Sequence, residues 1–112
     1  MTKYTPQNVL FELSKPVMLP SSFAELDNLA AMLKRFPNKK ILILGHTDNV
    51  GDAVANTKLS EQRAQAVVDY LIKKGISETR LTSQGFGGSR PITSENTVKG
   101  HARNRRVEFI IR

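Results

Sequence analysis

Ile41-Leu42-Ile43-Leu44-Gly45-His46-Thr47-Asp48-Asn49-Val50-Gly51 joins an unbroken apolar run to a polar loop, and the reading of that join decides the fold. Four apolar residues without alternation suit a strand covered on both faces. The run is also too short for a helix of ordinary length. Directly after it come side chains that donate or accept hydrogen bonds. In open α/β sheets ligands bind beyond the carboxyl ends of strands, so this loop is where a site is expected.

Upstream, Phe23, Leu26, Leu29, Ala30, Leu33 and Phe36 recur at helical spacing, and Pro37 ends the pattern. Ser22 and Glu25 have the spacing of a capping box at its start. Asn8 to Leu13 alternate loosely before Pro16 and read as a first strand, and residues 1–7 read as a linker. Downstream, the polar loop runs to about Thr57. Ala64, Val67, Val68, Leu71 and Ile72 then form one stripe of a second helix. Lys73 and Lys74 complement its dipole, and Gly75 suits the left-handed position that follows. Arg80 to Phe86 reads as a third strand, Gly87 to Asn104 as a long polar loop, and Arg106 to Ile111 as a fourth strand. The order is βαβαββ. It predicts an α/β (α+β) two-layer sandwich with two main helices packed on a mixed four-stranded sheet, all within one domain spanning residues 1–112.

Composition narrows the function. Apolar residues make up 39% of the 112, enough for one core, and no run approaches the ~20 that a membrane helix needs. With no cysteine and only His46 and His101, no thiolate or histidine-rich metal site is expected. The formal charge of +7 favours an anionic partner without choosing one. Nucleic acid is disfavoured, because 6% aromatics and no tryptophan leave little on which bases could stack.

Within the loop, Asp48 carries negative charge, and Arg63 stands beside the apolar seam in the early turns of the second helix. Together they could grip a zwitterion, the carboxylate taking an ammonium and the guanidinium a carboxylate. They could equally pair with each other and brace the loop. Spacing alone favours that plainer reading, since structural ion pairs outnumber ligand clamps. Asn56 is by the same logic a turn or cap residue. His46, Asp48 and Ser60 make a poor hydrolytic triad, because no Gly-x-Ser-x-Gly elbow is present. Arg103, Arg105 and Arg106 lead into a strand, so Arg105 and Arg106 should point to opposite faces.

The blocks taken together resemble a known family. Gly45-His46-Thr47-Asp48-x-x-Gly51, Asn56-x-x-Leu59-Ser60-x-x-Arg63-Ala64, Gly85-x-Gly87, Asn96-x-x-x-Gly100 and Asn104-Arg105-Arg106-Val107-Glu108-Phe109 are similar to the signature of the OmpA-like peptidoglycan-binding domain. That is the C-terminal domain type of outer-membrane protein A, peptidoglycan-associated lipoprotein and MotB. The likeness runs over roughly residues 9–111. It implies a non-enzymatic module, without cofactor or metal, that holds the meso-diaminopimelate of peptidoglycan stem peptides. Asp48 and Arg63 would bind the amino and carboxylate groups, and Asn56 and Arg105 would line the pocket, with Thr47 and Asn49 as flanking contacts. The resemblance further implies the C-terminal part of a larger envelope protein in the periplasm of a Gram-negative bacterium, tied to the outer membrane or otherwise anchored. Other envelope proteins are further potential partners. Two blocks depart from the pattern. Phe11-Glu12-Leu13-Ser14-Lys15 replaces Phe-Asp-Phe-Asp-Ser, and Gly100-His101-Ala102 replaces Gly-Arg-Ala.

Overall fold

The apolar run becomes the central strand of the sheet. In a computed structural model describing residues 2–112, the elements are β1 (Thr2–Tyr4), α1 (Ser21–Arg35), β2 (Ile41–His46), α2 (Ala53–Lys73), β3 (Leu81–Gly85), α3 (Val98–Asn104) and β4 (Arg106–Ile111). A single 3-10 turn, Glu78–Arg80, precedes β3. The sheet order is β1-β4-β2-β3. β2 pairs in parallel with β3, from Ile41↔Leu81 to Gly45↔Gly85, and antiparallel with β4, from Ile41↔Ile111 to His46↔Arg106. The mixed four-stranded sheet and its two long helices therefore match the expectation.

Alternation along β2 sorts its side chains. Ile41 and Ile43 enter one core with Leu26, Leu33, Val67 and Leu71 of the helices and Phe109 of β4. Burying each such side chain is worth about 1.5–3 kcal/mol. Both predicted helical stripes face this core, except that Phe23, Phe36 and Ile72 at their edges stay 37–50% exposed. Gly75 ends α2 with φ +98°.

Four expectations need correction. Asn8 to Leu13 is not a strand of the sheet. Phe11 pairs only with Met18, as an isolated bridge inside a hairpin arm turned by the Lys15 N–H donating to the Glu12 carbonyl. The sheet edge is taken instead by residues 2–4 of the expected linker, while Met1 lies outside the described residues. Tyr4 earns that place by an edge-to-face contact with Phe109 at 5.3 Å, and Lys3 by an ion pair with Glu108 at 3.5 Å. The capping box does not form, because both of its side chains bind the arm. Ser22 Oγ accepts from the Leu10 N–H and donates to the Leu10 carbonyl, and Glu25 Oε2 accepts from the Asn8 N–H. Finally, the long polar loop contains α3, which Thr97 caps by accepting from the Gly100 N–H at 3.0 Å.

Candidate functional site

β2 and β3 end, and β4 begins, at the same end of the sheet, so the loop after His46 meets Arg105 across the sheet edge. α2 starts there as well. Asp52 caps it by accepting from the Ala55 N–H at 2.8 Å, which moves the start ahead of the expected Thr57 and puts Asn56 in the first turn. A Cβ on Gly45 would lie 2.2 Å from the Ser60 carbonyl oxygen. The bare glycine thus lets α2 press onto the strand end and brings Arg63 toward Asp48.

Asp48 is held from three sides. Its Oδ2 accepts from Arg105 Nη1 at 2.7 Å and its Oδ1 from the Val50 N–H at 3.1 Å. Thr47 Oγ1 donates to the Asp48 carbonyl at 2.7 Å, and the Thr47 N–H donates to the Gly87 carbonyl. Asn56 Nδ2 donates to the Val50 carbonyl at 2.9 Å and reaches the Asp48 carbonyl at 3.5 Å. The amide and hydroxyl therefore shape the loop around the carboxylate.

The expected bracing pair of Asp48 with Arg63 is not the one that forms, since Arg105 takes that place. Arg63 is only 6% exposed and is fixed from behind by the hairpin arm. Its Nε donates to the Lys15 carbonyl and its Nη2 to the Glu12 carbonyl, both at 3.1 Å, and the guanidinium lies 5.3 Å from the Phe11 ring centre. Nη1 has no protein partner among the described residues. Burial and the neighbouring Arg105 pull the Arg63 pKa below its ordinary value, against the opposing pull of Asp48. It remains a cation at neutral pH.

Asp48, Asn56, Arg63, Arg105 and Thr47 line one cavity of about 340 Å³. Asn49 does not. It is exposed and faces a separate hollow with Gly51, Ala53 and Phe86. Ser14 and His101, the two departures, both line the main cavity. So do Leu13, Val50 and Val98, which are 76%, 59% and 87% exposed and give the charged pocket an apolar lip. Sequence reasoning missed these three, because Val50 and Val98 are lone apolar residues in polar segments and Leu13 was placed in the expected first strand. A second hollow of about 230 Å³ adjoins across Leu13, Arg63 and Arg105, walled by Val9, Leu10 and Phe11.

The weak triad comes apart. Ser60 is fully buried, donating to the Thr57 carbonyl at 2.7 Å and accepting from the Gly87 N–H at 2.9 Å. His46 binds Glu108 through Nε2 at 3.1 Å and stacks on Phe86, away from Asp48. Arg106 completes that group, its Nε donating to Glu108 Oε2 at 2.9 Å, so Arg105 and Arg106 diverge as a strand requires. Among the described residues no cluster of His, Cys, Asp and Glu has the arrangement of a metal site.

A family model described as OmpA family matches residues 10–105. Outer membrane porin F of Pseudomonas fluorescens is 40% identical over 101 residues, covering 90% of this chain and 31% of that protein. The peptidoglycan-binding protein ArfA of Mycobacterium tuberculosis is 38% identical over 94 residues, covering 84% of this chain and 29% of that protein. The chain thus spans about a third of the length of these two relatives. Among solved structures, the peptidoglycan-associated lipoprotein from Burkholderia pseudomallei superposes with a TM-score of 0.88 at 28% identity, covering 93% of this chain and 88% of that one.

Proposed function

The chain belongs to the OmpA family, and from that premise we propose that it is a non-catalytic peptidoglycan-binding domain whose pocket reads the meso-diaminopimelate of the stem peptide. The carrying observation is that the Asp48 carboxylate and the Arg63 guanidinium, opposite in charge and each held in place by other bonds, line one cavity. The distal end of meso-diaminopimelate carries an ammonium and a carboxylate on one carbon, which is the complementary pattern. Asp48 receives the ammonium, and the free Nη1 edge of Arg63 receives the carboxylate. Charge-assisted hydrogen bonds of this kind are worth about 1.5–3 kcal/mol each. Arg105 neutralises Asp48 and is 34% exposed, so it can turn to a second ligand oxygen when the ammonium arrives. Asn56 and Thr47 keep the loop rigid, which lowers the ordering cost of binding.

The apolar lip supports a peptide ligand over a free amino acid. Leu13, Val50 and Val98 surround the mouth and offer contact to the alanine methyls beside the diaminopimelate. The reading further implies that the domain works in the periplasm and anchors an envelope protein to the wall. Co-sedimentation with diaminopimelate-type sacculi tests it. The wild type should pellet, and Asp48→Ala should stay in the supernatant with an unchanged circular dichroism spectrum. Sacculi whose stem peptides carry lysine lack the distal carboxylate and should bind less. Equal pelleting of Asp48→Ala would sink the proposed site.

A further inference from the structure

The end of the molecule farthest from the pocket is cationic, and nothing in the pocket uses that charge. The strand polarity puts the last turns of α1 and α2 and the starts of β2 and β3 at this end. Lys34, Arg35, Lys39, Lys40, Lys73 and Lys74 are all exposed there. Three carboxylates approach them. Asp27 is paired with Lys74 at 3.4 Å, Asp69 accepts from Gln65 one turn back on α2, and Glu78 stands in the turn before β3. Positive charge is left in excess.

The carbonyls that end α1 do not use these cations. The carbonyls at the end of α1 are satisfied by Arg80, whose Nη2 donates to Leu33 at 2.8 Å and to Phe36 at 2.9 Å while its Nε donates to Lys39 at 2.9 Å. Among the described residues, Lys34, Arg35, Lys39, Lys40 and Lys73 have no salt-bridge partner; of the six only Lys74 does. Phe36 stands among them, half exposed, with the Arg35 guanidinium 5.8 Å from its ring centre. Unpaired lysines around an exposed aromatic ring fit a headgroup layer, where phosphates meet the cations and the ring rests at the apolar boundary. Polyphosphate or duplex DNA would meet the charge and leave the ring unused.

We propose that this end docks on an anionic phospholipid bilayer, through headgroup contacts of Lys34, Arg35, Lys39, Lys40 and Lys73 and through Phe36. Thr2, paired with Ile111, lies at the same end, as does Arg112, bonded to the Lys40 backbone. The six residues of β2 separate this end from the Asp48 loop by roughly 20 Å, more than twice the ~8 Å screening length of physiological salt, so the two sites act independently.

Flotation of the whole chain with phosphatidylglycerol-containing vesicles tests this, with pure phosphatidylcholine vesicles as the comparison. The protein should float with the first and not the second, and higher salt should release it. At about one basic residue's worth of surface attraction per change, Lys39→Gln/Lys40→Gln should weaken vesicle binding roughly thirtyfold. Lys34→Gln/Lys73→Gln should act alike, and both variants should still pellet with sacculi. Asp48→Ala should float as the wild type does. Failure to float with phosphatidylglycerol, equal flotation with phosphatidylcholine, undiminished flotation of both double variants, or tighter binding to polyphosphate or duplex DNA than to vesicles would each overturn the proposal.

Discussion

Replacing Arg63 by lysine keeps the charge and removes the fork, which makes it the most informative single change. The guanidinium serves two tasks at once. Its Nε and Nη2 hold the carbonyls of Lys15 and Glu12 at 3.1 Å, and its remaining edge stands in the cavity. An ammonium on a flexible stem cannot bridge both carbonyls and also present two parallel donors. Losing one charge-assisted bond to a shielded carbonyl should cost about 1.5–3 kcal/mol of stability. On the ligand side, the proposed bidentate carboxylate contact would become a single one, and a loss of about 1.4–3 kcal/mol would weaken affinity roughly ten- to a hundredfold. Urea unfolding measures the first effect. Calorimetric titration with two soluble stem tripeptides, ending in meso-diaminopimelate or in lysine, measures the second. The wild type should prefer the diaminopimelate peptide, and Arg63→Lys should lose most of that preference. A lysine variant that kept both its urea midpoint and its discrimination would refute the assignment of Arg63 as the carboxylate reader.

Gly45→Ala should destabilise the fold by about 1–3 kcal/mol, because its Cβ would lie 2.2 Å from a backbone oxygen of α2 and the helix must retreat by about 1 Å. Peptide affinity should fall with it, since Asn56 and Arg63 ride on that helix; thermal unfolding and titration report the two effects. Ser14 holds φ +57°, a left-handed conformation that costs a non-glycine residue about 1–2 kcal/mol. Ser14→Gly should therefore raise the urea midpoint despite the added freedom of the unfolded chain, and a lowered midpoint would show the turn to be unstrained. Stability should also fall on acidification. Burial, then Arg106, lowers the His46 pKa from 6.5. Burial alone would raise Glu108, but the bond and charge of Arg106, with His46 and Lys3, bring it below 4.5. In both cases the unfolded chain binds more protons than the folded one, so stability is complete above about pH 6.5, declines below it as unfolded histidine protonates, and declines again in the carboxylate range. His46→Gln should flatten the upper part of that decline in thermal melts between about pH 7 and pH 5, and an unaltered slope would exclude His46 as its source.

The central strand was legible from its unbroken apolar run, and the two long helices because their burial follows a period that the residues themselves carry. The divergence of Arg105 and Arg106 was legible for the same reason. What stayed hidden was set by tertiary contact. Thr2–Tyr4 has no apolar pattern and becomes a strand only because β4 offers a free edge with Phe109 and Glu108 beside it. Ser22 and Glu25 have the spacing of a cap, but the arm at Asn8 and Leu10 claims both. α3 has only Thr97 and a seven-residue span to announce it.

The site divides in the same way. Charge and placement marked Asp48 and Arg63, but spacing favoured a mutual ion pair over a clamp. The geometry answers with a third arrangement. Arg105, fifty-seven residues along the chain from Asp48, neutralises the carboxylate. Backbone carbonyls of the arm, which carry only partial charge, hold the guanidinium of Arg63. Had Asp48 and Arg63 paired with each other, a zwitterion would have to break that pair and would gain little, since two new ion pairs would replace one pair and the ligand's own hydration. Held by separate partners, the two groups keep their positions across the cavity. On the proposed reading, an arriving ammonium would displace only an arginine that is one-third exposed, and a carboxylate would meet a guanidinium that is already buried.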